Sequence, residues 1–125
     1  MTIIERQLSQ EARVLRALSH PARLAIVAFL RNGAACVCHL GTALGRSEPY
    51  VSQQLAVLRH AGLVTKRRKG TFAYYELQDY AILGVLDLTA HYAGERKSSA
   101  GPAGQTRIPG CDCPACQAAE GEEVA

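Results

Sequence analysis

The chain has 125 residues, 48% hydrophobic and 20% charged, with a formal net charge of +3. That length supports one small domain with a single core, and the ordinary globular composition excludes a fibrous or low-complexity chain. "MTIIERQLSQEARVLRAL" is charged throughout, with no apolar run or cleavage site of a secretion signal, and no stretch approaches the ~20 apolar residues of a membrane span, so a cytoplasmic protein is expected.

Ile4, Leu8, Ala12, Leu15 and Leu18 recur at helical intervals, with Glu5, Arg6, Gln10 and Arg13 between them, and predict one amphipathic first helix. Ser19 is expected to cap a second helix, with Pro21 in its first turn, running through "ARLAIVAFLRN" to Gly33. A third, short helix is predicted over roughly Val37 to Leu44, ended by Gly45. Ser47 has the character of an N-cap, with Glu48 and Pro49 in the first turn that follows. The helix "EPYVSQQLAVLRHAG" should bury Val51, Leu55 and Leu58 and end at Gly62.

"LVTKRRKGTFAYYEL" has a different texture: two β-rich runs flank Lys69-Gly70, as in a hairpin with its turn at the tip. From Tyr80 to about Tyr92, Ile82, Leu83, Leu86 and Thr89 predict a last amphipathic helix. After Gly94, "GERKSSAGPAGQTRIPG" is a linker without periodicity, leading to "CDCPACQAAEGEEVA". The expected organisation is a folded domain over 1–93 and a linker with a cysteine-containing tail over 94–125.

This order of elements is a mostly α fold with a small β-hairpin wing, a winged helix-turn-helix, whose central turn is Gly45-Arg46. On a helical wheel Pro49, Tyr50, Ser52, Gln53 and Ala56 lie opposite the core positions. Small and amide side chains near a helix N-terminus suit a major-groove reader, and the unpaired N–H groups there suit a phosphate. "KRRKG" places Lys66, Arg67, Arg68 and Lys69 along the hairpin, where backbone phosphates are their natural partners. The candidate DNA-binding residues are Arg46, Ser47, Tyr50, Ser52, Gln53, Lys66, Arg67, Arg68 and Lys69, and the expected partner is double-stranded DNA. One half-site contributes too little affinity, so a homodimer is expected, joined through the apolar stripes of the first and last helices. No paired nucleophile and base, phosphate loop or carboxylate pair marks an enzyme.

"SHPARLAIVAFL", "CVCHLGTALG", "YVSQQLAVLRHAGLV" and "RRKGTFAYYEL" together resemble the ArsR/SmtB family of bacterial metal-sensing repressors, from about Leu15 to Leu77. The resemblance implies a homodimer that occupies operator DNA when apo and lets go when a metal or metalloid binds. Within the family, the Cys-x-Cys of Cys36 and Cys38 resembles the metal site of the arsenic- and cadmium/lead-sensing branches. The arsenic branch often has a third cysteine three positions on, where this chain has Gly41. Zinc-sensing relatives place a His/Asp site in the last helix, and the pattern around Asp79 and His91 does not meet it.

With 5 cysteines in a reducing compartment, metal or redox chemistry is favoured over structural disulfides. Residues two apart in a helix point to nearly opposite sides, so Cys36 and Cys38 can converge only if the backbone around Cys36 is non-helical. The positive end of a helix favours an anionic sulfur, the form a metal ligand takes. The remaining donors are Cys111, Cys113 and Cys116, whose Cys-x-Cys-x-x-Cys spacing lets three sulfurs meet one ion. Three thiolates suit As(III), antimonite or Pb(II); four suit Cd(II) or Zn(II). As(III) is the first expectation for the inducer. His39, beside the thiols, reads as a surface residue. Two other readings remain open at this stage: a thiol-redox or sulfide-sensing repressor on the same scaffold, and a winged-helix interaction module whose tail holds a structural zinc.

Overall fold

A computed structural model describes residues 1–94 of the chain; Cys111, Cys113 and Cys116 lie outside the described residues. Helices α1 (Ile3–Gln7) and α2 (Ser9–Leu18) share what the sequence pattern predicts as one helix. Thr2 opens α1 with a capping box, its side chain accepting from the Glu5 amide while Glu5 accepts from the Thr2 amide. The interruption falls at Leu8, with φ −95° and ψ 5°. There Ser9 Oγ donates to the Arg6 carbonyl at 2.9 Å, a competing bond of the kind that bends helices. The Leu8 amide bonds the Ile4 carbonyl at 3.1 Å and the Ala12 amide bonds the Leu8 carbonyl at 2.9 Å, so helical bonding continues on both sides of the interruption.

Helix α3 (Pro21–Phe29) is capped by His20 and not by Ser19: His20 Nδ1 accepts from the Ala22 amide at 3.1 Å. A residue before proline is held extended, and His20 has φ −158° and ψ 130°, which is the cap conformation. Ser19 instead closes α2. A 3₁₀ turn (Leu30–Asn32) tightens the end of α3 before Gly33, whose φ of 123° only glycine adopts freely.

Next come β1 (Ala35–Cys36), α4 (Val37–Leu44), α5 (Glu48–His60), β2 (Val64–Lys69), β3 (Phe72–Leu77) and α6 (Ile82–Tyr92). The sheet is antiparallel in the order β1-β3-β2. Strand β1 adds to the expected hairpin, pairing Cys36 with Tyr74 and Ala35 with Tyr75. The hairpin turn is Gly70-Thr71, one residue beyond the expected tip, because Lys69 still pairs with Phe72. Gly70 has φ 64°, the positive value a two-residue hairpin turn requires.

Ile26, Leu30, Leu40, Leu55 and Leu58 are fully buried and join α3, α4 and α5 into one core. Each contributes on the order of 2 kcal/mol by leaving water. Helices α1 and α6 bury no residue completely, and Ile3, Ile4, Leu8, Leu15, Leu88 and Tyr92 stay exposed on them and on α2. An apolar groove of about 300 Å³ runs between α2, α3 and α6, lined by Leu15, Leu18, Leu24, Val85 and Leu86. A 2.8 Å ion pair between Arg31 and Asp87 fastens α6 to the turn after α3. Among the described residues no helix is long and apolar enough to cross a membrane.

Candidate functional site

Cys36 is the last residue of β1 and the N-cap of α4 at once, with φ −86° and ψ 165°. Its Sγ accepts from the His39 amide at 3.4 Å, and the side chain is 3% exposed. Because Cys36 is extended while Cys38 is helical, both thiols join one small apolar cluster with Tyr74, Ala34 and Phe72. Cys36 is buried and Cys38 half-buried. Two soft sulfurs in one cluster, one already accepting an amide hydrogen, are a donor set fit for a thiophilic ion. Among the described residues no three His, Cys, Asp or Glu side chains come together, so a third donor has to come from elsewhere.

His39 is not a surface residue. It is 5% exposed and its ring packs on Phe29 with centroids 5.5 Å apart. Burial pushes its imidazole pKa below the ordinary value, so the ring is neutral near pH 7. The inward face of α4 carries His39, Leu40 and Gly41 together, and the polarity of the histidine hid that from the sequence pattern.

Helix α4 ends in a tight reversal. Gly45 is left-handed at φ 65° and ψ 35°, the Arg46 amide donates to the Gly41 carbonyl at 2.9 Å, and the Gly45 amide donates to that of Thr42 at 3.3 Å. This folds the chain back so closely that a Cβ at Gly41 would sit 2.9 Å from the Arg46 carbonyl oxygen. Backbone cannot swing aside as a side-chain tip can. At the position where the resembled arsenic branch carries its third cysteine, a side chain would thus force the turn to shift. Gly41→Ala is expected to cost about 1–3 kcal/mol of unfolding free energy, read by urea denaturation; an unchanged midpoint would contradict the close approach.

Beyond the turn, Ser47 Oγ accepts from the Tyr50 amide at 3.4 Å and starts α5. The Arg46 guanidinium lies over the Tyr50 ring, 4.9 Å from its centroid. Val51, Leu55 and Leu58 face the core, while Pro49, Ser52, Gln53 and Ala56 are exposed on the opposite side and Tyr50 is half-buried. On the hairpin, Lys66, Arg67, Arg68 and Lys69 are all exposed. Lys66 Nζ stands 5.9 Å from the Tyr75 ring centroid, and Arg67 pairs with Glu76 at 3.4 Å. An exposed pair of this kind holds the guanidinium only weakly.

One contact at α5 escaped the sequence reading. Arg23 Nη1 donates to Gln54 Oε1 at 2.9 Å, while Nε and Nη2 donate to the Ala17 and Arg16 carbonyls at 2.5 and 3.3 Å. The guanidinium so ties the end of α2 to the middle of α5. The sequence signal was a lone cation opening an otherwise apolar helix.

Residues 20–66 match the sequence profile of bacterial regulatory proteins of the arsR family. The chain is 45% identical over 89 residues to the HTH-type transcriptional repressor SmtB of Mycobacterium tuberculosis, over 70% of this chain and 65% of that protein. The match therefore spans just under two thirds of that relative's length. It is 40% identical over 85 residues to the HTH-type transcriptional regulator NmtR of the same organism, over 68% of this chain and 71% of that one. Among solved structures, the fold is similar to the homodimeric winged helix-turn-helix DNA-binding domain of a possible ArsR-family regulator from Mycobacterium bovis. The TM-score is 0.66 at 32% identity, covering 77% of this chain and 90% of that one.

Proposed function

Since this chain belongs to the ArsR family of bacterial regulatory proteins, we propose that it is a cytoplasmic transcriptional repressor that holds operator DNA as a homodimer and releases it when a thiophilic ion binds Cys36 and Cys38. In this reading residues 1–93 form the DNA-binding and dimerising unit, and 94–125 carry the tail. Helix α5 enters the major groove, with Ser52 and Gln53 toward base edges and Arg46, Ser47 and Tyr50 beside the backbone. Lys66, Arg67, Arg68 and Lys69 neutralise phosphates from the wing. The exposed apolar side chains of α1, α2 and α6, Ile4, Leu8, Leu15 and Leu88 among them, meet those of the second subunit.

The observation that carries the regulatory part is the double position of Cys36. It ends a strand paired with the wing and it caps the helix that leads into α5. Drawing Cys36 toward an ion shared with Cys38 strains its bond from the His39 amide. Strand β1 then shifts against Tyr74, whose other cross-strand neighbour is Arg67 of the wing. The start of α4 loosens as well, and its far end is locked to α5 through Gly41 and Arg46. Both DNA-contacting elements thus lie one packed neighbour from the thiols.

A 100-fold weakening needs about 2.7 kcal/mol of differential affinity and an almost complete switch about 5.5. Thiolate coordination, which in structural zinc sites totals ~10–16 kcal/mol, supplies that when a fraction of it is lost in the DNA-bound form. Further donors come from Cys111, Cys113 and Cys116. With one tail sulfur the site suits As(III) or Pb(II), with two it suits Cd(II) or Zn(II). As(III) remains the first candidate because a pair of thiolates needs only one more sulfur to complete its pyramid.

The DNA-binding part is tested by salt dependence. Lys66→Ala with Lys69→Ala is expected to lower the log–log salt slope of duplex binding by about 0.9 per lost phosphate contact. Equal slopes in variant and parent would contradict the role given to the wing.

A further inference from the structure

A second basic surface lies outside the recognition stripe and the wing. Arg13 and Arg16 of α2, Arg23 of α3 and His60 at the end of α5 line a cavity of about 500 Å³ floored by Ala17 and Val57. No carboxylate belongs to that lining. Among the described residues the ion pairs are Arg31–Asp87 and Arg67–Glu76, and neither draws on these arginines. Arg23 is fixed by its bonds to Ala17, Arg16 and Gln54, while Arg13, Arg16 and His60 are exposed residues of the lining. A concave, uncompensated cluster of this sign concentrates positive potential and selects an anion.

The position of the cavity says which anion. Pro49, Gln53, Ala56 and His60 recur at i, i+4, i+7 and i+11, one exposed stripe of α5. His60 is seven residues, about 10 Å, from Gln53 along that stripe. A helix lying in the major groove, about 12 Å wide, has a wall of phosphates on each side. The cavity shares His60 with the stripe and is lined by Val57 and Ala61 beside it, on the flank where α5 packs on α2 and α3, which is where one of those walls would run.

We propose that Arg13, Arg16 and His60 form a phosphate-binding cleft that grips the DNA backbone alongside the bases read by α5. The inference rests on the DNA-binding reading above. It extends the protein's footprint past the wing and gives α2 a contact of its own with the duplex. Arg23, bonded to both α2 and α5, holds the cleft in register with the reading stripe.

The test uses the reduced full-length chain and a short mixed-sequence duplex, with affinity read by fluorescence anisotropy across a salt series. The expected result is that Arg13→Ala with Arg16→Ala lowers the log–log salt slope by about 1.8, two contacts at about 0.9 each, and that lysine at both positions restores it. Both positions are exposed on a helix, and circular dichroism is expected to be unchanged. If the paired alanines leave the slope as it was while Lys66→Ala with Lys69→Ala lowers it, the cleft is overturned and the wing stands. If neither pair lowers it, the DNA-binding reading falls and takes the cleft with it. A second arm adds inorganic phosphate at constant ionic strength and follows the His60 ring resonances. Movement in the parent and none in the alanine pair, with an unchanged DNA slope, would assign the cleft to a free anion and overturn the backbone contact.

Discussion

Replacing Cys36 with serine is expected to abolish the response to thiophilic ions while leaving DNA binding of the apo protein unchanged. Serine accepts from the third helical amide at least as well as a thiol, so the cap of α4 and the pairing of β1 survive. What disappears is one of the two sulfurs in the cluster. In the parent protein the ion should weaken DNA binding by on the order of 100-fold, within the usual range of coupling between sites. In Cys36→Ser that ratio should collapse to unity, measured by anisotropy with arsenite or cadmium under reducing conditions. A parent-like ratio in the variant would remove Cys36 from the site. A chain cut before Gly110, run beside it, reports on the tail: loss of the response there makes Cys111, Cys113 or Cys116 a donor, and a retained response restricts the site to Cys36 and Cys38.

The second large effect is expected at the subunit contact. Leu88 on α6 is 63% exposed in the protomer, on a helix that buries no residue of its own. Leu88→Arg therefore takes nothing from the protomer core, and its melting as a monomer should be that of the parent. Across a dimer face the same arginine would be an unpaired charge removed from water, which costs several kcal/mol per ion. Sedimentation velocity is expected to show monomers where the parent shows dimers. DNA affinity should fall by about 100-fold or more, because two half-sites no longer bind as one unit. A variant that sediments as the parent dimer would move the interface away from α6.

Most of the architecture is legible in the sequence because local and tertiary preferences agree in it. Pro21, Gly45, Ser47 and Gly62 mark ends that the backbone respects, and Val51, Leu55 and Leu58 are buried where their spacing puts them. The departures share a cause: they depend on bonds that periodicity does not encode. The interruption at Leu8 goes with one serine hydroxyl bonding back to Arg6. The cap of α3 moved from Ser19 to His20 because the residue before Pro21 is the one held extended. Strand β1 is two residues long and exists only through its pairing with β3, so no pattern within it could announce it.

The thiols show the same division. That Cys36 must leave the helix was a geometric necessity legible in the sequence. That it does so as part of the wing sheet was not, and that pairing is what joins the thiol cluster to the hairpin. His39 was misjudged because burial against Phe29 is a property of the assembled core. The closure of Gly41 by the Arg46 carbonyl, likewise, exists only once the turn has formed.

The central claim is that ion capture at Cys36 and Cys38 loosens the grip on DNA. The direct measurement is the affinity of the reduced, full-length protein for an operator duplex selected from random-sequence DNA, taken with and without arsenite, cadmium, lead and zinc. The account predicts that at least one of these ions weakens binding by on the order of 100-fold and that a stronger thiol chelator restores it. Equal affinity under all of these conditions would contradict it.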